Sequence, residues 1–180
     1  MIVGKEQGMF SHYGGNLEGK MKDHGITLIE LVVVMSVVGI LTVALGFEYY
    51  NWGKKYAAEK IIKELYTDMM HARMMAIARS REHYVILGAR SYSVVEDTND
   101  SGEYDAGDAV LPSFPKSVSY PLDWNNKYAV SKTTFDRRGI ISGLRTIWVT
   151  SAADADYSCI KVSMSRVIMG QYDGKECQAK

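Results

Sequence analysis

The sequence predicts an α+β chain: a long N-terminal helix, membrane-spanning over its first half, packed on an antiparallel β-sheet domain. Three observations carry that expectation. No charged residue occurs between Leu31 and Phe47. Apolar residues then recur at three- and four-residue steps as far as Ala76, the spacing of one helix face. From Tyr84 onward the apolar residues fall in short runs separated by glycine and aspartate, the punctuation of strands and turns.

Taken in order, residues 1–25 are rich in glycine, carry three bases and three acids, and match no folded element. Residues 26–47 form the apolar run. At about 1.5 Å per residue a helix over this run reaches about 33 Å, enough to cross a hydrocarbon core. A secretory signal has a shorter apolar stretch with a small-residue cleavage site behind it, and none follows here. A soluble core helix would be polar on one side, whereas this run is apolar all round. Membrane insertion is therefore expected. Glu30 is the exception within it, since a carboxylate in a membrane helix costs on the order of 2.5–3.5 kcal/mol and marks a functional position by default.

Residues 48–82 are expected to continue the helix amphipathically. Ala58, Ile61, Ile62, Leu65, Met69, Ala72 and Ala76 share one face, while Lys54, Lys55, Lys63, Glu64, Arg73 and Arg79 fall largely on the other. Met69, Met70, Met74 and Met75 are assigned to the same packing face, methionine being an adaptable core filler. Gly46 and Gly53 are the flexible points of this stretch. Residues 83–180 are expected to form the antiparallel domain. It opens with a hairpin over "YVIL" and "YSVVE" turning at Gly88. Further strands are expected at "SVSY", "YAVSKTTF", "TIWVTS", "YSCIKVSMS" and "VIMGQY", with turns at 136–139, 153–156 and 173–174.

Charge balances over the whole chain, with 21 bases and 21 acids, so no global field argues for nucleic acid. The imbalance is local: residues 96–108 hold six acids and no base. Within that stretch "DTNDSGEYDAGD" places Asp97, Asn99, Ser101, the carbonyl of Glu103, Asp105 and Asp108 at positions 1, 3, 5, 7, 9 and 12 of a calcium loop. Gly102 stands at position 6, where the loop turns sharply. A solvated acidic hairpin tip uses the same residue types. Bound calcium would have a structural role, holding together acids that otherwise repel. No cofactor is required.

Cys159 and Cys177 are the two cysteines. No C-x-x-C or histidine spacing surrounds them, so an exported domain would pair them as a disulfide. An enzyme is not indicated. His71 and His83 lie on or just past the helix, His12 and His24 lie in the first 25 residues, and no P-loop or dinucleotide motif is present.

The stretch "GITLIELVVVMSVVGIL" resembles the signal of type IV pilins and type II secretion pseudopilins. The resemblance implies the pilin fold, cleavage by prepilin peptidase after Gly25, N-methylation of Ile26 where the family usually has phenylalanine, and an assembly role for Glu30. A start at Met21 would leave the short basic leader "MKDHG", and Lys20 or Lys22 on the cytoplasmic side satisfies the positive-inside rule. The order of long helix, hairpin, "FDRRG" and "VSMSRV" before a final cysteine is similar to the GspH/FimT branch of minor pilins and pseudopilins. Here Ser165-Arg166 stands where the family usually has Gly-Arg.

The implied life history begins at the bacterial inner membrane, with the C-terminal domain periplasmic. It ends in a cell-surface pilus or a periplasmic pseudopilus. Other pilin subunits, the peptidase, the assembly platform and the membrane are the implied partners, and a tip or initiation position is expected for a minor subunit. Two alternatives stand beside this. Some FimT-type minor pilins take up DNA through basic residues, for which Arg137, Arg138, Arg145, Lys161, Arg166 and Lys175 are available. The other is an ordinary single-pass membrane protein with an exported domain.

Overall fold

The computed structural model describes residues 25–125, 131–151 and 154–180. The leader up to residue 24, with the Met21 start and Lys20 and Lys22, lies outside the described residues. So do the first part of the expected strand "YAVSKTTF" and part of the expected turn at 153–156. The chain divides into two compact units, Met1–Thr42 and Val43–Lys180.

Helix α1 is Leu28–Arg79. Thr27 caps its start: the Thr27 hydroxyl accepts the Glu30 N–H at 3.3 Å, and the Thr27 carbonyl accepts the Leu31 N–H at 3.1 Å. Thr-x-x-Glu at these positions is the spacing of a capping box, and Glu30 also sets a negative charge against the positive end of the helix dipole. In the apolar run the hydroxyls of Ser36 and Thr42 donate to the carbonyls of Val32 and Val38, each at 2.8 Å. Their polarity is thereby satisfied within the helix, as a lipid environment demands. Gly46 and Gly53 do not interrupt the helix.

The helix stops at Arg79 rather than at residue 82 because Ser80 takes a left-handed φ of 53°. The Ser80 N–H donates to Ile77 and the Arg81 N–H to Ala76, two bonds that satisfy the terminal carbonyls in a Schellman arrangement. Glycine usually holds that position, which is why the stop carried no signal in the sequence.

In the second unit the seven residues of the expected helix face are all buried. They join apolar residues of two antiparallel sheets in one core, where Leu65, Ile62 and Met69 meet side chains such as Val85, Phe135, Ile147 and Ile160. Burial of each such side chain stabilises the fold by about 1.5–3 kcal/mol. Met74 is a correction to the expected face: it is 61% exposed, while Met70 and Met75 are half-buried against the core.

The first sheet contains β1 (His83–Leu87), β2 (Ser91–Glu96), β3 (Ala109–Val110), β4 (Lys116–Ser117), β6 (Lys132–Phe135) and β7 (Ile141–Ser142). β1 is central, paired with β2 from His83↔Glu96 to Leu87↔Tyr92 and with β6 from His83↔Phe135 to Ile86↔Lys132. The second sheet runs in the order β11 (Cys177–Ala179), β10 (Val167–Tyr172), β9 (Cys159–Val162), β8 (Arg145–Val149), β5 (Leu122–Trp124). The hairpin expected at Gly88 is present, closed by the Gly88 N–H donating to Ser91 at 2.8 Å. "SVSY" is corrected: only Ser117 of it is in a strand, and Val118 instead donates to Arg90 as the chain crosses toward the second sheet.

Cys159 and Cys177 form a disulfide that reaches across β10, from β9 to β11. The cysteines are 18 residues apart, and a loop of that size constrains the unfolded chain by about 3 kcal/mol. A Cys159→Ala/Cys177→Ala variant is expected to lose that amount in a denaturant titration. A midpoint unchanged from wild type contradicts the assignment of a stabilising staple.

Candidate functional site

Gly25, Ile26 and Thr27 precede the helix and take no regular structure. Gly25 is exposed, and Ile26 is 74% exposed. The Gly25–Ile26 peptide therefore stands outside the hydrogen-bonded helix. A peptidase needs an extended, accessible backbone at the bond it cuts, and helical N–H and C=O groups are already engaged. Thr27 explains why the helix begins two residues past that bond. Glu30 is exposed in the first turn, with its backbone N–H bound to the Thr27 hydroxyl.

The apolar window of α1 is long and apolar enough to cross a membrane, and none of it is buried among the described residues. Val32, Val34, Leu41 and Val43 are each at least half exposed. A helix that presents apolar side chains on every side needs lipid or other apolar helices around it.

The acidic loop is tied to the outer face of the first sheet. Tyr104 meets Tyr84 edge-on at 6.2 Å, and Arg81 donates to the Thr98 carbonyl at 2.9 Å. Burial, reinforced by the Asp97 charge, pushes the Tyr84 hydroxyl well above the usual tyrosine range, so it stays a neutral donor. Asp97, at position 1, is fully buried, and its carboxylate accepts the N–H groups of Ser101 at 3.1 Å and Gly102 at 2.9 Å. Gly102 takes a φ of 73°, the sharp turn expected of position 6. Among the described residues no cation pairs with Asp97.

The remaining ligand positions are engaged with one another. The Asn99 amide donates to both Asp105 oxygens at 3.0 Å, the Ser101 hydroxyl donates to the Glu103 carbonyl at 2.9 Å, and Asp108 accepts the Asp105 N–H at 2.9 Å. The Asn99 amide and then the Gly107 N–H hold the Asp105 carboxyl below the usual carboxylate range. Among the described residues no group of three His, Cys, Asp or Glu side chains converges on one point. The loop as it stands is closed by hydrogen bonds.

The basic residues considered for DNA differ in what they already bind. Arg145 is a correction: it is buried in β8 and donates to the carbonyls of Gly143 and Lys132, so no phosphate can reach it. The cause is local, since Gly143 turns at φ 76° two residues before it and the guanidinium folds back on that turn. Arg137 pairs with Asp100 at 2.6 Å and Arg138 with Asp136 at 3.1 Å. Lys161, Arg166 and Lys175 are exposed on β9, on the β9–β10 turn and on the β10–β11 turn.

Three structural features gave no signal in the sequence. Tyr92 donates to Asp68 on the helix at 2.6 Å, and Lys116 pairs with the same carboxylate at 2.7 Å, clamping β2 and β4 to α1. Trp148 and Tyr172 stack at 4.6 Å across the second sheet. Gly170 lies so close to β11 that a Cβ there would stand 1.9 Å from the Gln178 carbonyl oxygen. Each depends on residues far apart in the chain.

No curated protein and no solved structure matches the chain. Two family models do. That for a prokaryotic N-terminal methylation motif matches residues 20–46, the span containing the Gly25–Ile26 peptide, the capped helix start and Glu30. That for the type II transport protein GspH matches residues 62–166, from the buried helix face through the turn after β9. With an exposed apolar helix, an α+β domain and these matches over more than half its length, the chain belongs to the GspH family of type II secretion pseudopilins and type IV pilins.

Proposed function

We propose that this chain is a minor subunit of a type IV pilus or secretion pseudopilus, placed in the tip or initiation complex. In this role prepilin peptidase cuts after Gly25 and Ile26 is N-methylated. The subunit waits in the inner membrane with its domain periplasmic, then enters the filament through α1. The observation that carries the proposal is the capped helix whose apolar window is left uncovered by the described residues. Lipid satisfies that surface before assembly and neighbouring helices satisfy it afterwards, so the transfer costs little hydrophobic free energy. The family match supports a structural subunit, and no catalytic step is assigned to any residue.

Mass spectrometry of the protein from native membranes is expected to find a chain beginning at Ile26 and carrying one N-methyl group. An uncleaved, unmethylated terminus supports the single-pass membrane protein instead. Labelling the domain in isolated filaments should mark their ends. Labelling along the whole length contradicts the tip position.

Calcium is the second proposal, favoured by the buried, cation-free Asp97 carboxylate and the Gly102 turn. Binding would swing Asn99 and Asp105 apart and direct their oxygens inward. With a Kd of about 10⁻⁴ M, about 10 mM calcium should stabilise the detergent-solubilised chain by about 2.7 kcal/mol. Asp97→Asn should abolish that gain. A melting temperature indifferent to calcium excludes it.

A further inference from the structure

Four aromatic side chains on α1 have no place in the core and lie just beyond the apolar run in the chain. Tyr49, Tyr50, Trp52 and Tyr56 are 75%, 64%, 60% and 60% exposed. They are organised nonetheless. Trp52 sits between Tyr49, at 6.1 Å, and Tyr56, at 5.8 Å with nearly parallel rings. The Lys54 ammonium lies 4.1 Å from the centre of the Tyr50 ring, and Lys55 beside it is exposed.

Their angular placement decides what could cover them. At about 100° per residue, Tyr49, Trp52 and Tyr56 fall within about 60° of one another. By the same count that row points nearly opposite to the Ala58, Leu65 and Met69 face, which excludes it from the sheet-packed side. Tyr50 stands about 100° from Tyr49 around the helix, and Lys54 further round on the same side as Tyr50. One partner helix covers a single stripe. It would leave Tyr50 bare and gain nothing from the lysines.

We propose that this aromatic and lysine group is an anchor for the lipid headgroup layer on the outer face of the membrane, fixing the depth at which the unassembled subunit sits. A headgroup layer surrounds a helix, so it can receive rings on two sides at once. Its acyl boundary accepts the ring bodies, while ester and phosphate oxygens accept the tyrosine hydroxyls and the Trp52 N–H. The same phosphates attract Lys54 and Lys55, whose stems lie along apolar surface while the ammonium groups reach outward. The group begins two residues after the apolar run ends at Phe47, where such a layer follows hydrocarbon.

The proposal rests on membrane anchoring of the chain, and the test separates the two. The full chain is reconstituted in phosphatidylethanolamine/phosphatidylglycerol vesicles carrying a nitroxide quencher either on the headgroup or deep in the acyl chain. Retention through an alkaline wash is measured first, and loss of the chain at that step overturns the anchoring and the proposal together. In retained protein, headgroup nitroxide is expected to quench tryptophan emission more than the deep nitroxide does, and Trp52→Phe should abolish that component. Trp52 touches only Tyr49 and Tyr56 among described aromatic rings, so the variant leaves the core intact. Quenching identical in wild type and Trp52→Phe, or strongest from the deep probe, overturns the anchor.

Discussion

Glu30→Ala should leave the precursor inserted and cleaved, yet missing from filaments. In the proposed life history, cleavage after Gly25 would release a positively charged amine at Ile26, and an assembling helix would carry that charge into an apolar filament core. Glu30 of an adjacent subunit can accept a charge-assisted hydrogen bond from it. Removing one partner of a buried ion pair costs about 3–5 kcal/mol, because the other charge is left unpaired. That is more than a hundredfold in incorporation, which immunoblotting of sheared filaments would read as absence.

The capping box supplies a competing explanation, since Glu30 occupies its acidic position. Glu30→Gln separates the two. Glutamine serves in a capping box but has no charge to offer an ammonium group. If pairing is what matters, Gln fails as Ala does while the peptidase still cuts both. If Gln assembles normally, Glu30 acts only on its own helix.

Gly170→Ala should produce the largest loss of stability of any single methyl group added to the domain. The added Cβ would stand 1.9 Å from the Gln178 carbonyl oxygen and 2.6 Å from its carbonyl carbon, both backbone atoms that no rotamer change can move. β11 cannot simply retreat, because it is hydrogen-bonded to β10 from Gly170↔Ala179 to Tyr172↔Cys177 and joined to β9 through Cys177. Overpacking of this kind costs about 3 kcal/mol or more. For a domain of this size that corresponds to about 6–12 °C in the melting temperature. A variant melting within about 2 °C of wild type would show that β11 adjusts freely.

The helix and the outline of the sheets were legible because each has a period. All seven residues assigned to the inner helix face are buried, and "VIMGQY" is β10 residue for residue. The turns at Asp136–Gly139 and Asp173–Gly174 also stand: Gly139 and Gly174 take φ values of 75° and 92°. β3, β4, β5 and β7 were not legible. Two or three residues carry no alternation to read, and these strands exist only because a neighbour's edge is there to pair with. The family match extends the N-terminal motif into the domain.

Local chemistry therefore determined where the chain can enter a membrane, where its helix turns its apolar side inward, and how Gly25 and Glu30 are spaced about the helix start. Those properties follow from hydrophobicity and from spacing along one helix, both of which a linear string preserves. The tertiary structure decided that the strands divide into two sheets, that Arg145 faces inward, and that Gly170 has no room for a side chain. These depend on groups brought together from distant points in the chain, as in the pairings of Gly170 with Cys159 and Ala179 and the salt bridge from Arg137 to Asp100. No local propensity encodes a distance between two strands.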